Sequence, residues 1–351
     1  MNHEMYMRRA LWLATRGRGL VSPNPMVGCV IVARGEVIGE GWHQRYGQAH
    51  AEVNAVRAVK DPTLIAEATV YVTLEPCAHI GKTPPCADML VDLRPALVVI
   101  ACTDPNPKVA GQGIAKLQEA GIPVLLGVLE QEARQLNRRF LTAIAEKRPY
   151  WVLKWAQTAD GFLARADYDS RWISNPLSRM WVHRWRSEED AVLVGKNTAH
   201  YDNPQLNVRQ WEGRDPHRLV IDRHNSLAPS LHLFQGEQPT ICYNFSKNQQ
   251  TGNTTWVALP QNDFWQALSD DLYQRGIHSV LVEGGTAIFN ALLNDNRWDE
   301  LHCFEAQEQV FEQGIPAPAI PPGAVLQTRQ TILNDHYSHY LHPRHQEVVL
   351  H

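Results

Sequence analysis

Short runs of aliphatic and β-branched residues alternate along this chain with stretches whose apolar positions recur at helical spacing. An opening helix carries Met5, Ala10, Leu11 and Leu13 among its apolar positions. Val27–Ala33 and Glu36–Glu40 then read as a hairpin joined by Arg34-Gly35. Ala51–Lys60 is a predicted helix ended by Asp61-Pro62, and Thr69–Leu74 and Leu97–Cys102 are predicted buried strands. Gly113–Ala120 reads as a helix closed by Gly121, Pro123–Leu126 as a strand, and Glu130–Lys147 as one long amphipathic helix stopped at Arg148-Pro149. This alternation predicts a layered α/β domain over residues 1–147 and a second domain over 148–351.

The second part alternates again. Predicted strands are Tyr150–Ala156, Ala191–Gly195, Arg218–Asp222, Thr240–Tyr243, Ser279–Glu283, Leu301–Glu305 and Gln346–Leu350. Predicted helices are Pro176–Ser187, Asp263–Arg275 and Thr286–Leu293. Gln205–Gly213 and Pro316–Gly323 read as loops from their Pro, Gly and polar content.

A length of 351 residues favours two cores over one, and 44% hydrophobic residues is ordinary for a globular protein. A formal charge of −4 provides no basic footprint for nucleic acid and favours a small-molecule substrate. No apolar run approaches a membrane span and the N-terminus lacks a signal-peptide core, so a cytoplasmic protein with reduced thiols is expected. Of the six cysteines, Cys29, Cys102, Cys242 and Cys303 lie in apolar runs and read as core residues.

The other two sit in a different context. His50-Ala51-Glu52, Glu75-Pro76-Cys77 and Pro84-Pro85-Cys86 offer one imidazole and two thiolates, a zinc donor set that leaves a fourth place for water. Water on such a metal loses a proton near neutral pH, and a carboxylate beside it has to carry protons to a leaving amine. Glu52 suits that part if it and His50 share a helix start. Pro76 is expected to set Cys77 at a helix N-terminus, where the dipole favours thiolate. An H-x-E motif followed by P-C and a second Cys is the known signature of zinc deaminases. Singly, each residue has a plainer reading: a solvated His, a small core Cys, a Glu balancing a helix dipole. A structural zinc site with His79 as fourth ligand stays open.

The two cysteines are separated by Ala78–Pro85 in place of the two residues usual in nucleoside deaminases. TLEPCAHIGKTPPC resembles the signature of the bifunctional riboflavin-biosynthesis deaminase–reductase family. Pro23-Asn24-Pro25 with VGCVIV, Gly41-Trp42-His43 before HAEVNA, and ACTDPNPKVAGQGI resemble it too. The resemblance covers nearly the whole chain and implies a cytidine-deaminase-like three-layer first domain and a dihydrofolate-reductase-like second domain. It implies zinc held by His50, Cys77 and Cys86, with Glu52 catalytic. The implied substrate is a phosphorylated diaminopyrimidinone bound through Asn24, His43, Lys82 and Thr83; a solvated loop is the alternative for Lys82.

In the second domain no spacing identifies a metal or nucleophile motif, and only the resemblance speaks. LKWAQTADG, SRWIS, HRWRSEEDAVLVGKNTAHYDNPQLNVR and SVLVEGGTAIFNALL are similar to the family's reductase segments. They imply NADPH contacts from Gln157, Trp172, Thr198, Asp202, Gly284, Gly285, Thr286, Ala287, Ile288, Phe289 and Asn290. They imply substrate contacts from Ser170, Arg186, Leu206, Arg209 and Glu283, with Lys154 a further candidate. Gly284-Gly285 ends a strand and opens a helix, which allows a phosphate to approach backbone N–H groups; otherwise it is only a tight turn. Arg186 and Arg209 are expected to clamp the substrate phosphate. The chain departs from the family after Leu301, where CFEAQEQVFEQGIPAP replaces a Pro and a Leu-Leu-Gly element, and at Asn203, where an Asp is common. A homodimer or higher homo-oligomer is expected. Two alternatives stand: a deaminase with a degenerate reductase domain, and a nucleic-acid base deaminase, which the acidic balance disfavours.

Overall fold

The computed structural model describes residues 2–78, 84–106, 110–170 and 173–345. It divides into two compact units, residues 1–147 and 148–351.

In the first unit the elements run α1 (His3–Thr15), β1 (Gly28–Ala33), β2 (Glu36–Trp42), α2 (Ala51–Arg57), β3 (Thr69–Val72), α3 (Cys86–Leu93), β4 (Leu97–Ile100), α4 (Gln112–Glu119), β5 (Val124–Leu126), α5 (Glu130–Leu136) and α6 (Arg138–Glu146). The sheet order is β2-β1-β3-β4-β5. β1 is antiparallel to both its neighbours, and β3, β4 and β5 are parallel. All six residues of β1 are buried, because successive side chains enter opposite faces and both faces are covered. Cys29, Ile31 and Ala33 pack with Ala51, Ala55, Leu90 and Leu117 of α2, α3 and α4. Val30 and Val32 pack with Met7, Ala10, Leu13 and Ala133 of α1 and α5. The result is three layers, as expected.

The predicted single helix over Glu130–Lys147 is two helices, α5 and α6, broken at Asn137. The buried Asn137 side chain accepts a hydrogen bond from Met26 N–H at 2.8 Å and donates to Met26 C=O at 2.9 Å. That two-way clamp on a distant backbone takes precedence over the helical period.

The second unit contains β6 (Tyr150–Gln157), β7 (Phe162–Arg165), α7 (Pro176–Glu188), β8 (Ala191–Gly195), α8 (Lys196–Asp202), β9 (His217–Ile221), β10 (Thr240–Asn244), β11 (Gln249–Thr251), β12 (Thr254–Ala258), α9 (Phe264–Gln274), β13 (Ser279–Gly284), α10 (Thr286–Asn294), β14 (Glu300–Ala306), β15 (Gly314–Pro316), β16 (Val325–Ile332) and β17 (Asp335–Leu341). Ten strands form one sheet in the order β11-β12-β10-β9-β8-β13-β6-β14-β17-β16, and β7 pairs with β15 apart from it. The run from β12 to β14 is parallel; β11, β17 and β16 are antiparallel to their neighbours. Trp151, Leu153, Val280 and Val282 face α9 and α10, while Val192, Val194 and Val220 pack with Ala199, Leu231 and Leu233 on the other side. Asp299, fully buried, ties the chain's entry to this sheet. It accepts from Arg148 at 2.6 and 2.8 Å and from Trp151 N–H at 2.8 Å, and lies 2.7 Å from His345 Nε2. Burial works against this charge, but the hydrogen bonds from Arg148 and His345 hold the carboxyl at about 2.

The predicted strand over Gln346–Leu350 lies outside the described residues. No described helix is long and apolar enough to cross a membrane.

Candidate active sites

In the first unit the carboxyl end of β3 and the starts of α2 and α3 bring the three expected donors together. His50 is the N-cap of α2, but its side chain makes no capping bond, so the imidazole is free to turn inward. Its Nδ1 lies 3.5 Å from Cys77 Sγ and 3.5 Å from Cys86 Sγ. Cys86 opens α3, and its backbone N–H donates to Cys77 Sγ at 3.3 Å. The expectation for Cys77 therefore needs correcting. Cys77 is not on a helix but in the turn after β3, and it meets the N-terminus of α3 only through space.

Electrostatics bear on these groups in opposite senses. The hydrogen bond from Cys86 lowers the Cys77 thiol to about 4, with His50 acting in the same direction against burial. Cys86, the donor of that bond, is raised. The hydrogen bond between His50 and Cys77 raises the imidazole in turn. Glu52, 3% exposed in the first turn of α2, is pushed up to about 7 by burial and by the charge on Cys77. Such a carboxyl can both take and release a proton near neutrality. The donor chemistry fits a borderline divalent cation. An ion about 2.3 Å from sulfur and about 2.0–2.1 Å from nitrogen has tetrahedral S···N edges of about 3.6 Å, against the observed 3.5 Å.

Asn24 and His43 stand beside this group. Asn24 Nδ2 is 3.1 Å from His43 Nε2, and the His43 ring meets His50 edge-on at 5.4 Å between centroids. Burial lowers His43. Lys82, Thr83 and His79 lie outside the described residues.

Sequence reasoning overlooked Glu75. Its buried carboxylate accepts from the N–H groups of Gly113 (2.9 Å), Gly111 (3.0 Å), Ile114 (3.3 Å) and Asp104 (3.3 Å). The turn that carries Cys77 is thereby fastened to the start of α4. Gly113 is required there, since a Cβ would sit 2.0 Å from the Pro76 carbonyl oxygen. A Glu before Pro-Cys was visible in the sequence, but its partners are 29–39 residues away.

In the second unit the carboxyl ends of β6, β8, β9 and β13 open into a cavity of about 1020 Å³, a usual place for ligands on a parallel sheet. Lys154, Ser170, Thr198, Asp202, Leu206, Arg209, Arg186 and Glu283 line it, as does the segment from Gly284 to Phe289. Gly285 has φ +100°, and a Cβ on Gly284 would lie 2.7 Å from Thr198 Oγ1 and Cγ2, so this turn admits no side chain without displacement. Ser170 Oγ donates to Asp202 at 3.2 Å. Lys154, inside an apolar strand, does reach the cavity, and burial lowers its ammonium.

Three expected groups are placed differently from the rest. Gln157 and Asn290 lie outside the cavity lining. Gln157 Nε2 donates to Glu305 at 3.2 Å, and Asn290 is exposed one turn along α10. The two-arginine clamp is also reduced. Arg186 directs Nε and Nη2 to Glu283 at 2.5 and 2.6 Å and Nη1 to Asn207 C=O at 3.1 Å. This pairing holds Glu283 below the usual carboxylate range despite its burial. Arg209, whose Nη1 meets Asn207 Oδ1 at 2.7 Å, is the more available cation. Trp172 lies outside the described residues.

Two cavity features were missed. His183, one turn before Arg186 on α7, is lowered to about 4 by burial and by Arg186 and Arg209. Helical spacing from Arg186 could have indicated it. Tyr168 and Tyr201 stack at 4.5 Å and 4°, a contact across 33 residues that no local pattern announces.

A layered domain with a His-Cys-Cys donor set, followed by a parallel-sheet domain with an open crevice, defines a deaminase joined to a reductase. Residues 1–102 match the cytidine and deoxycytidylate deaminase zinc-binding region, and residues 149–306 match the RibD C-terminal domain. The riboflavin biosynthesis protein RibD of Escherichia coli (strain K12) is 41% identical over 328 residues, covering 87% of this chain and 88% of that protein. The RibD of Actinobacillus pleuropneumoniae is 39% identical over 324 residues, covering 89% and 86%. The crystal structure of a diaminohydroxyphosphoribosylaminopyrimidine deaminase/5-amino-6-(5-phosphoribosylamino)uracil reductase from Thermotoga maritima superposes with a TM-score of 0.88 at 36% identity, covering 97% of this chain and 98% of that one. The chain belongs to the RibD family of bifunctional riboflavin-biosynthesis enzymes, in which a deaminase domain is followed by a reductase domain.

Proposed function

We propose that this enzyme removes the ring amino group of a diaminohydroxyphosphoribosylaminopyrimidine in its first domain, residues 1–147, and reduces the product's ribosyl group to a ribityl chain with NADPH in its second, residues 148–351. The observation that carries the reading is the meeting of His50, Cys77 and Cys86 beside the buried Glu52. His50, Cys77 and Cys86 would hold zinc, which when bound makes water a nucleophile near neutral pH. Glu52 takes the proton from the attacking water and passes protons to the ring and to the departing amine, so that ammonia leaves and a carbonyl remains. Asn24 and His43 border the ring's site, and Lys82 and Thr83 are proposed for the phosphorylated end.

In the second domain NADPH, when bound, supplies the hydride, and the chain's part is placement and charge. The Gly284–Gly285 turn with Thr286 and its neighbours on α10 receives the phosphates; Thr198 and Trp172 are further cofactor contacts, and the Asp202 carboxylate accepts from a hydroxyl of the cofactor. Arg209 meets the substrate phosphate. Arg186 acts instead by neutralising Glu283, which with Ser170, Leu206 and Lys154 borders the sugar.

The test is zinc content measured together with turnover of the pyrimidine substrate, with and without NADPH. Ammonia release without NADPH, followed by NADPH oxidation matched to the deaminated product, is expected. Ammonia release with no oxidation would leave a deaminase with an idle second domain. Failure of a zinc-loaded chain to release ammonia would end the reading.

A further inference from the structure

Away from both sites, β14 and β17 bring together another set of metal-type donors. Glu300 and His302 lie two residues apart, hence on one face of β14, and His339 of β17 stands directly opposite His302 in register. Glu300 Oε1 is 3.2 Å from His302 Nε2 and 2.9 Å from His339 Nε2. One donor atom from each residue falls within 4.8 Å of the others. Glu300 and His302 are 3% and 4% exposed.

The His302 ring is held from behind. Its Nδ1 is 2.7 Å from Tyr337 Oη, and the Trp185 ring stacks on it at 4.2 Å, so Nε2 is the nitrogen turned to the cluster. An oxygen partner on the far nitrogen is the usual support of a metal-bound imidazole.

Ordinary hydrogen bonding accounts poorly for His339. Its Nε2 is buried and has no hydrogen-bond partner among the described residues, although a carboxylate oxygen lies 2.9 Å away. The oxygen is near but off the direction in which an N–H would point, and hydrogen bonds weaken steeply with such misalignment. Donor atoms grouped around one cation need no mutual alignment. A tetrahedral ion about 2.0–2.2 Å from nitrogen and oxygen has N···O edges of about 3.4 Å; the His302 spacing of 3.2 Å is near that, and the His339 spacing of 2.9 Å would open towards it on binding.

We propose that Glu300, His302 and His339 form a second metal site, for a borderline divalent ion of the zinc class, which pins β17 to β14. Two imidazoles and one carboxylate form a nitrogen–oxygen set, in contrast to the sulfur-rich set of the first unit. The site is structural and stands apart from the reductase cavity, whose lining includes none of the three residues.

The full-length protein equilibrated with zinc and freed of loose ion is expected to retain two ions per chain, falling to one in His339→Gln and to one in Cys77→Ser. His339→Gln should keep full ammonia release. Native protein that holds a single ion, with His339→Gln unchanged, overturns the proposal. A single ion lost in His339→Gln and kept in Cys77→Ser supports it while breaking the deaminase reading instead. Cobalt titration of the native chain needs no variant. One portion of bound cobalt should show thiolate charge-transfer absorption, and a second should add only ligand-field bands. Saturation with thiolate-type absorption alone counts against the site.

Discussion

The two domains solve opposite problems with opposite means. The first gathers three donor atoms and one carboxyl into contact from three short segments, His50 and Glu52 sharing the start of α2, and any one of them is hard to replace. The second spreads its site over four strand ends and two helix starts around about 1020 Å³, and most of its lining is shape. Zinc chemistry needs particular atoms, so it leaves particular residue types in the chain. Hydride transfer belongs to a dissociable cofactor, so the protein around it leaves a contour. Single substitutions should therefore act abruptly in the first domain and by degrees at the second site.

Glu52→Ala puts that contrast at its sharpest. Loss of about 10²–10⁴-fold in ammonia release is expected with zinc retained, since proton transfer by a placed side chain contributes that much. Turnover within a few fold of the native rate would break the comparison. Asp299→Asn tests the opposite case, a large effect in the second domain that comes from the scaffold. It sets a neutral amide in the fully buried place of the carboxylate against the Arg148 guanidinium, which is 12% exposed, a loss of about 3 kcal/mol, the low end for a buried pair. Chemical denaturation should show the second domain unfolding earlier while zinc stays bound to the first.

Acid should act through the same residue. Because the Asp299 carboxyl sits at about 2, below its ordinary 3.8, its stabilisation is present above the ordinary value and disappears as pH falls towards the lower one. The contribution is about 2 kcal/mol, and Asp299→Asn should flatten the second domain's stability profile between those values. The smallest effect is expected from Gly284→Ala. Its methyl meets both γ atoms of Thr198 at 2.7 Å, so this β-branched side chain has to shift as a unit by a few tenths of an ångström. KM for NADPH should rise by about tenfold or less with kcat nearly kept; a dead reductase would mean that this turn is as exacting as the zinc donors.

How much could be read from residues alone follows the same division. The strands of the first unit and the set His50, Glu52, Cys77 and Cys86 were legible, because buried strands are continuous apolar runs and metal donors come from few residue types. Asn137 was not: in sequence it is one polar position in an amphipathic stretch, and its tie to Met26 spans 111 residues. The β16–β17 hairpin escaped because six of the eight β16 residues are exposed, so no apolar period marks it. Small helices such as α3 and α8 are too short to show a period. In the second unit Lys154 stood out as a charge inside an apolar strand, and the Gly284–Gly285 turn as a strand-to-helix break. The pairing of Arg186 with Glu283 joins residues 97 apart, so the chain showed two charges without showing that they neutralise each other.

The grip of Glu75 has a dynamic corollary. Four amides that answer to one carboxylate, at Asp104, Gly111, Gly113 and Ile114, are released together when it lets go, and they form a single opening unit. With the metal held as proposed, chelation should loosen the Cys77 turn, and these amides should then take up deuterium in concert. A helix start with no metal ligand of its own would thus register the metal.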